Sequence, residues 1–165
     1  MNYRESQNQN QNQNKVEDIS QRTMEITRTF EAPVELLWKV LTTPEYIKIW
    51  WGPEGFTNTI RKMEVRKGGE WEFTMHGPDG TDFVNTFHYL EVTPKENIVM
   101  EHRQHPKFII TVRLFSEGDR TKVIWQNIFD SVPTMEEAIR AFQVDVGLVQ
   151  NMERLGQYLQ QQQQT

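Results

Sequence analysis

Polar and apolar positions alternate with a period of two in the stretch MEITRTFEA. Met24, Ile26 and Arg28 fall on one side, and Glu25, Thr27 and Thr29 on the other. That alternation predicts a β-strand. The period changes after Pro33, a residue suited to the first position of a helix. Val34, Leu37, Trp38 and Leu41 recur at i, i+3, i+4 and i+7, the stripe of an amphipathic helix. A second short helix is expected from TTPEY, with Thr43 as N-cap and Pro44 at N1. Its last turn brings Ile47, Trp50 and Trp51 to one face, and Gly52-Pro53 ends it.

From Thr57 to Phe129 the period returns to two. TNTIRKMEV, EWEFTMHG, TDFVNTFHYLEV, IVMEHRQ, KFIITVRLFS and TKVIWQNIFDS are separated by short polar turns such as RKGG, PDG, TPKEN and EGDR. About six strands in an antiparallel meander are expected. Trp71, Phe73 and Met75 share one face of their strand, and Val123, Trp125, Asn127 and Phe129 share one face of the last. Asn127 is an amide among apolar neighbours and needs a hydrogen-bond partner; it could orient a ligand or satisfy a backbone group. In TDFVNTFHYLEV the faces are balanced, with Thr86, His88 and Leu90 against Phe87, Tyr89 and Glu91. Either could line a pocket.

One long C-terminal helix follows. Thr134 and Glu137 have the spacing of a capping box. Met135, Ala138, Phe142, Val149, Met152 and Leu159 recur at helical spacings, flanked by Leu148 and Leu155. Gly147 in mid-helix costs about 1 kcal/mol relative to alanine, so it marks a close approach or open space. The fold class read from these periods is α+β. A curved antiparallel sheet of about six to seven strands wraps a long helix, two short helices close one end, and a wedge-shaped gap suits a small molecule.

Composition narrows the picture. The chain has 165 residues, 36% hydrophobic and 11% aromatic, enough for one domain with a sizeable core. The repetitive QNQNQNQN near the start and QQQQQT at the end have no side chain that buries area. Residues 1–22 and 160–165 are therefore expected to be disordered tails, with the domain spanning 23–159. A net charge of -5 without a basic patch argues against nucleic acid. The lack of cysteine excludes disulfides, thiolate catalysis and cysteine-based zinc sites. Neither a membrane span nor a signal peptide is legible, so a cytoplasmic location is expected.

Chemistry-bearing motifs are sparse. Of the four histidines, His76, His88, His102 and His105, only the last two are three apart. They fall where a strand ends in a turn, a setting that does not put both on one face. No metal site, cofactor or catalytic residue is assigned. His88, Glu101 and Arg103 are the acid–base candidates, but no nucleophile elbow, phosphate loop or paired-carboxylate signature accompanies them.

The segments TFEAPVELLWKVLTTPEYIKIWWGPEGFT, RKGGEWEFTMHGPDGT, YLEVTPKENIVM and GLVQNMERLGQYL, taken together, resemble the activator of Hsp90 ATPase homologue 1-like (AHSA1-like) family of the START/Bet v 1-like (SRPBCC) superfamily. The resemblance covers the expected domain from Met24 to Leu159. It implies a helix-grip fold with a hydrophobic cavity between sheet and C-terminal helix. It also implies members that bind lipids, polyketides or plant hormones, and a minority that are aromatases or cyclases. One position departs: Leu148 stands after the helix glycine, where the family commonly has tryptophan, and a smaller residue there enlarges or reshapes the pocket. The family's eukaryotic co-chaperone carries a further N-terminal domain, whereas a Gln/Asn tail is found here, so Hsp90 is not the expected partner.

The expected function is binding of a small apolar or aromatic molecule, lipid, polyketide or flavonoid-like, by a monomer or weak homodimer. A co-chaperone-like interaction module is the alternative, and a cyclase- or aromatase-like enzyme the third. The expected cavity residues are Trp38, Trp50, Trp51, Phe56, Trp71, Phe73, Met75, His88, Val123, Trp125, Phe142, Val146 and Val149. Of the adjacent tryptophans, one is expected to plug the layer under the second helix and the other to stand at the cavity entrance.

Overall fold

The computed structural model describes residues 19–164. Most of the expected N-terminal tail, including the Gln/Asn repeat, lies outside the described residues. The chain enters through a single helical turn at residues 19–21 and strand β1 (Thr23–Phe30). Two helices follow, α1 (Val34–Thr42) and α2 (Pro44–Trp50). Six strands come next: β2 (Thr57–Met63), β3 (Glu70–His76), β4 (Asp82–Thr93), β5 (Asn97–His102), β6 (Phe108–Glu117) and β7 (Arg120–Phe129). Helices α3 (Val132–Phe142) and α4 (Val144–Gln162) end the chain.

The seven strands form one antiparallel sheet in the order β1-β7-β6-β5-β4-β3-β2. The meander therefore closes by bringing β1 back beside β7, pairing Thr23 with Ile128 and Phe30 with Thr121. Two register shifts, between Ile60 and Lys62 and between Tyr89 and Glu91, place Arg61 and Leu90 as extra residues. Such bulges bend a strand, and they give the sheet a concave face. Alternation puts Trp71, Phe73, Phe87, Tyr89, Met100, Val112, Val123 and Trp125 on that face, all buried. The open question in β4 is thus decided for Phe87 and Tyr89. His88 lies on the outer side, with Glu70 and Glu101 as its cross-strand neighbours.

The expected single C-terminal helix is two helices. Gln143 adopts a left-handed conformation (φ 51°, ψ 44°) and ends α3, its N–H donating to the Ile139 carbonyl. The N-cap of α3 is Ser131, whose hydroxyl accepts from the Thr134 N–H, so the anticipated Thr134–Glu137 box is displaced by one turn. The break resets the helical phase. In α4 the buried stripe is Leu148, Met152, Leu155 and Leu159, packed against β1, α1 and α2. Phe142, Val146 and Val149, expected inside, are 54%, 49% and 40% exposed. At its far end α4 runs through Gln162, past the expected boundary at Leu159. Glutamine is a good helix former, and the Gln163 amide holds the end by donating to the Glu31 carbonyl at 2.9 Å.

Candidate functional site: an aromatic cavity under a pinned loop

The loop that follows α2 carries the two tryptophans. Trp50 closes α2 and points into the core, its indole N–H donating to the Val40 carbonyl at 3.1 Å. Trp51 turns the other way into a cluster of rings. Its ring centroid lies 4.8 Å from Trp71, 5.7 Å from Trp125, and 6.2 Å from both Phe73 and Phe87, mostly edge to face. Edge-to-face pairs suit the aromatic quadrupole and add to the area term. Trp50 is therefore the expected plug. Trp51 is 5% exposed and forms inner wall rather than an open entrance.

The chain reverses at Gly52, where φ is +98° and a Cβ would meet Met75 Cε at 2.9 Å. Only glycine fits there. The loop is then fastened to α4. Asn151 Oδ1 accepts from the Gly52 N–H at 2.9 Å, and Gln150 Oε1 from the Glu54 N–H at 3.2 Å. Arg154 donates to five carbonyls at 2.7–3.1 Å, those of Ile49, Trp51, Gly52, Pro53 and Phe56. A planar guanidinium serves this cluster of acceptors as an ammonium cannot. Burial lowers the Arg154 pKa from its usual value, with Glu54 working in the opposite direction. Gly147 is explained by the same fastening, since a Cβ on it would meet Pro53 Cγ at 3.2 Å.

Under this loop lies a cavity of about 690 Å³, within the range of small-molecule sites. Its floor is the concave sheet: Phe83, Asn85 and Phe87 of β4, His102 of β5, Phe108 and Ile110 of β6, and Trp125 and Asn127 of β7. Its roof is Trp51–Pro53 and Phe56 with Leu148 and Asn151 of α4. The mouth is mixed: Phe142 from the end of α3 and the exposed Val84 from β4 stand at its rim beside Asp82, Gln104, His105 and Gln143. The break at Gln143 creates this opening, because α3 departs from the line of α4 just where the cavity begins.

The polar groups are few and mostly committed. His102 is buried and stacked on Phe108 at 4.9 Å. Its Nδ1 donates to the Pro106 carbonyl at 2.8 Å, and its Nε2 faces Asn85 Oδ1 at 3.1 Å. The Asn85 amide in turn donates to the Phe83 carbonyl. Asn127 accepts from the Trp125 indole N–H at 3.0 Å, a side-chain partner rather than a backbone group.

Of the thirteen residues expected to line the cavity, Trp51, Phe56, Met75, Trp125 and Phe142 do so. Trp50, Trp71, Phe73 and Val123 are fully buried core behind the wall, and Trp38 packs half-buried against that core. His88 is on the outer face; Val146 and Val149 are exposed on α4. Glu101 and Arg103 form an exposed ion pair at 2.6 Å. Sequence reasoning missed Asn85, His102, Phe108, Asn151 and Arg154 as site residues. Gly147 and Leu148 were the legible signals on α4, one for the close approach and one for the changed pocket wall.

A concave sheet gripping a C-terminal helix over a largely apolar cavity defines the START-like, helix-grip class of proteins. The chain belongs to the Activator of Hsp90 ATPase homolog 1-like protein family, whose model matches residues 31–160. No match is found among curated protein sequences. Solved structures share the fold. An Arthrobacter aurescens protein superposes with TM-score 0.80 at 21% identity, covering 87% of this chain and 89% of that one. A Nitrosomonas europaea protein gives TM-score 0.78 at 21% identity, covering 87% and 97%. The AHSA1 protein of Silicibacter pomeroyi gives 0.68 at 15% identity, covering 85% and 99%.

Proposed function

We propose that this protein binds a small apolar or aromatic molecule, of lipid, polyketide or flavonoid type, in the cavity between sheet and α4. The observation that carries this reading is the 690 Å³ space itself, walled by Trp51, Phe87, Phe108 and Trp125 and crossed by only a few polar groups. Burial of apolar surface, about 25 cal/mol per Å² removed from water, supplies affinity, and the polar groups set orientation. The cysteine-free composition fits a cytoplasmic setting, and no helix among the described residues is long and apolar enough to cross a membrane.

The test is an amide chemical-shift titration against fatty acids, flavonoids and polyketide-like aromatics. Saturable shifts at Trp51, Phe87, Trp125 and Leu148 are expected for at least one class. A folded protein that shows none with any compound would be no ligand carrier. A second reading rests on the exposed Phe142, Val146 and Val149, which offer an apolar strip to a protein partner. Shifts confined to that strip, seen only with added protein, would favour it.

A further inference from the structure

Two amides on the cavity wall have their orientation fixed from behind. Trp125 Nε1 is a donor only, so the Asn127 group facing it at 3.0 Å is the carbonyl oxygen. The Gly52 N–H likewise fixes the Asn151 carbonyl at 2.9 Å. Each amide therefore turns its NH2 away from its fixing partner. Both residues line the cavity, Asn151 is 7% exposed, and neither NH2 has a hydrogen-bond partner among the described residues. His102 and Asn85, the other interior polar side chains, are committed to one another and to carbonyls. The buried acceptors without a partner, Asn58 Oδ1 and Asn97 Oδ1, do not line the cavity. The interior thus offers two spare amide donors, one on Asn127 and one on Asn151.

From this we infer that the ligand carries an acceptor oxygen, a carbonyl or a carboxylate, received by the Asn127 and Asn151 amides while its apolar body lies against Trp51 and Trp125. The inference rests on the cavity-binding reading and narrows it. A buried donor is satisfied by such a ligand and left unpaired by a hydrocarbon of the same shape, a difference of about tenfold or more in affinity.

The probes are 2-naphthoate, methyl 2-naphthyl ketone, 2-methylnaphthalene and 2-naphthylamine, titrated by amide chemical shift at pH 8. Naphthoate and ketone should bind at least about tenfold more tightly than hydrocarbon and amine. Asn127→Asp and Asn151→Asp keep the oxygen that accepts from Trp125 or Gly52 and remove the NH2. In these variants the ketone-to-hydrocarbon affinity ratio should fall towards one, and naphthoate should lose most because charge repels it. The dispersion of the amide spectrum before titration reports that the variants remain folded. If the hydrocarbon binds wild type as tightly as the ketone, or the preference survives both substitutions, the acceptor rule is wrong and the cavity reading stands. If none of the four binds, both fail together.

Discussion

The two ends of the C-terminal helical segment meet the same sheet and do opposite things. Past Leu148, α4 buries Met152, Leu155 and Leu159 and seals the core against β1, α1 and α2. Before it, α3 and the first turns of α4 leave Phe142 and Val146 about half exposed and stand over a void. Strand β4 repeats the contrast: Phe83, Asn85 and Phe87 line the cavity, and two residues on Tyr89 is packed core. Both ends are rich in apolar side chains. What separates packed from open is backbone geometry, the break at Gln143 and the loop pinned by Arg154.

That contrast can be broken from its sealed side first. Leu155→Ala removes a side chain with no exposure at all and should cost about 2–5 kcal/mol, read by chemical denaturation. Next comes the pin. Arg154→Met removes the guanidinium from five carbonyls, of which Trp51 keeps the Asn58 amide and Pro53 the Phe56 N–H, and should cost about 2–3 kcal/mol. Lysine should restore little of it, and a ligand-bound form should lose more than the free protein because the roof is loosened. If lysine restores full stability, the multidentate argument is wrong.

Tyr89 gives a pH test of the packed end. Burial raises its pKa above the ordinary tyrosine value. The unfolded phenol ionises first, so this contribution is complete below about pH 10 and is lost as pH rises, at about 1.4 kcal/mol per unit. Tyr89→Phe should show a shallower fall in thermal midpoint between pH 10 and 11. Equal slopes in wild type and variant would mean that Tyr89 is not held in a dry site. The smallest effect belongs to the open end. Phe142→Ala should change stability by less than about 0.5 kcal/mol, while shifting ligand affinity at the mouth. A large loss of stability would mean that Phe142 packs as the helical spacing first indicated.

Strands and short helices were legible because period-two alternation and proline-glycine punctuation are local. The Trp50–Trp51 pair could be placed at a helix end for the same reason. The break at Gln143 was not legible, since glutamine has no left-handed preference and the apolar spacing of seven, Met135, Phe142 and Val149, runs straight through it. Arg154, Asn151 and His102 were invisible as site residues because their partners are carbonyls and side chains distant in sequence. No spacing rule joins residue 154 to residue 52. Gly147 showed that something came close, but not that it was Pro53.

The pin also has a meaning in time. The five Arg154 bonds span 98 to 105 residues, so none of them can form until nearly the whole chain has been made. A nascent chain emerges N-terminus first. It carries Trp50 and Trp51 through the synthesis of the entire sheet before α4 arrives to fasten them. Closing so long a loop is entropically expensive, which makes roofing the cavity a late event and the last helix the step that turns a folded sheet into a binding site.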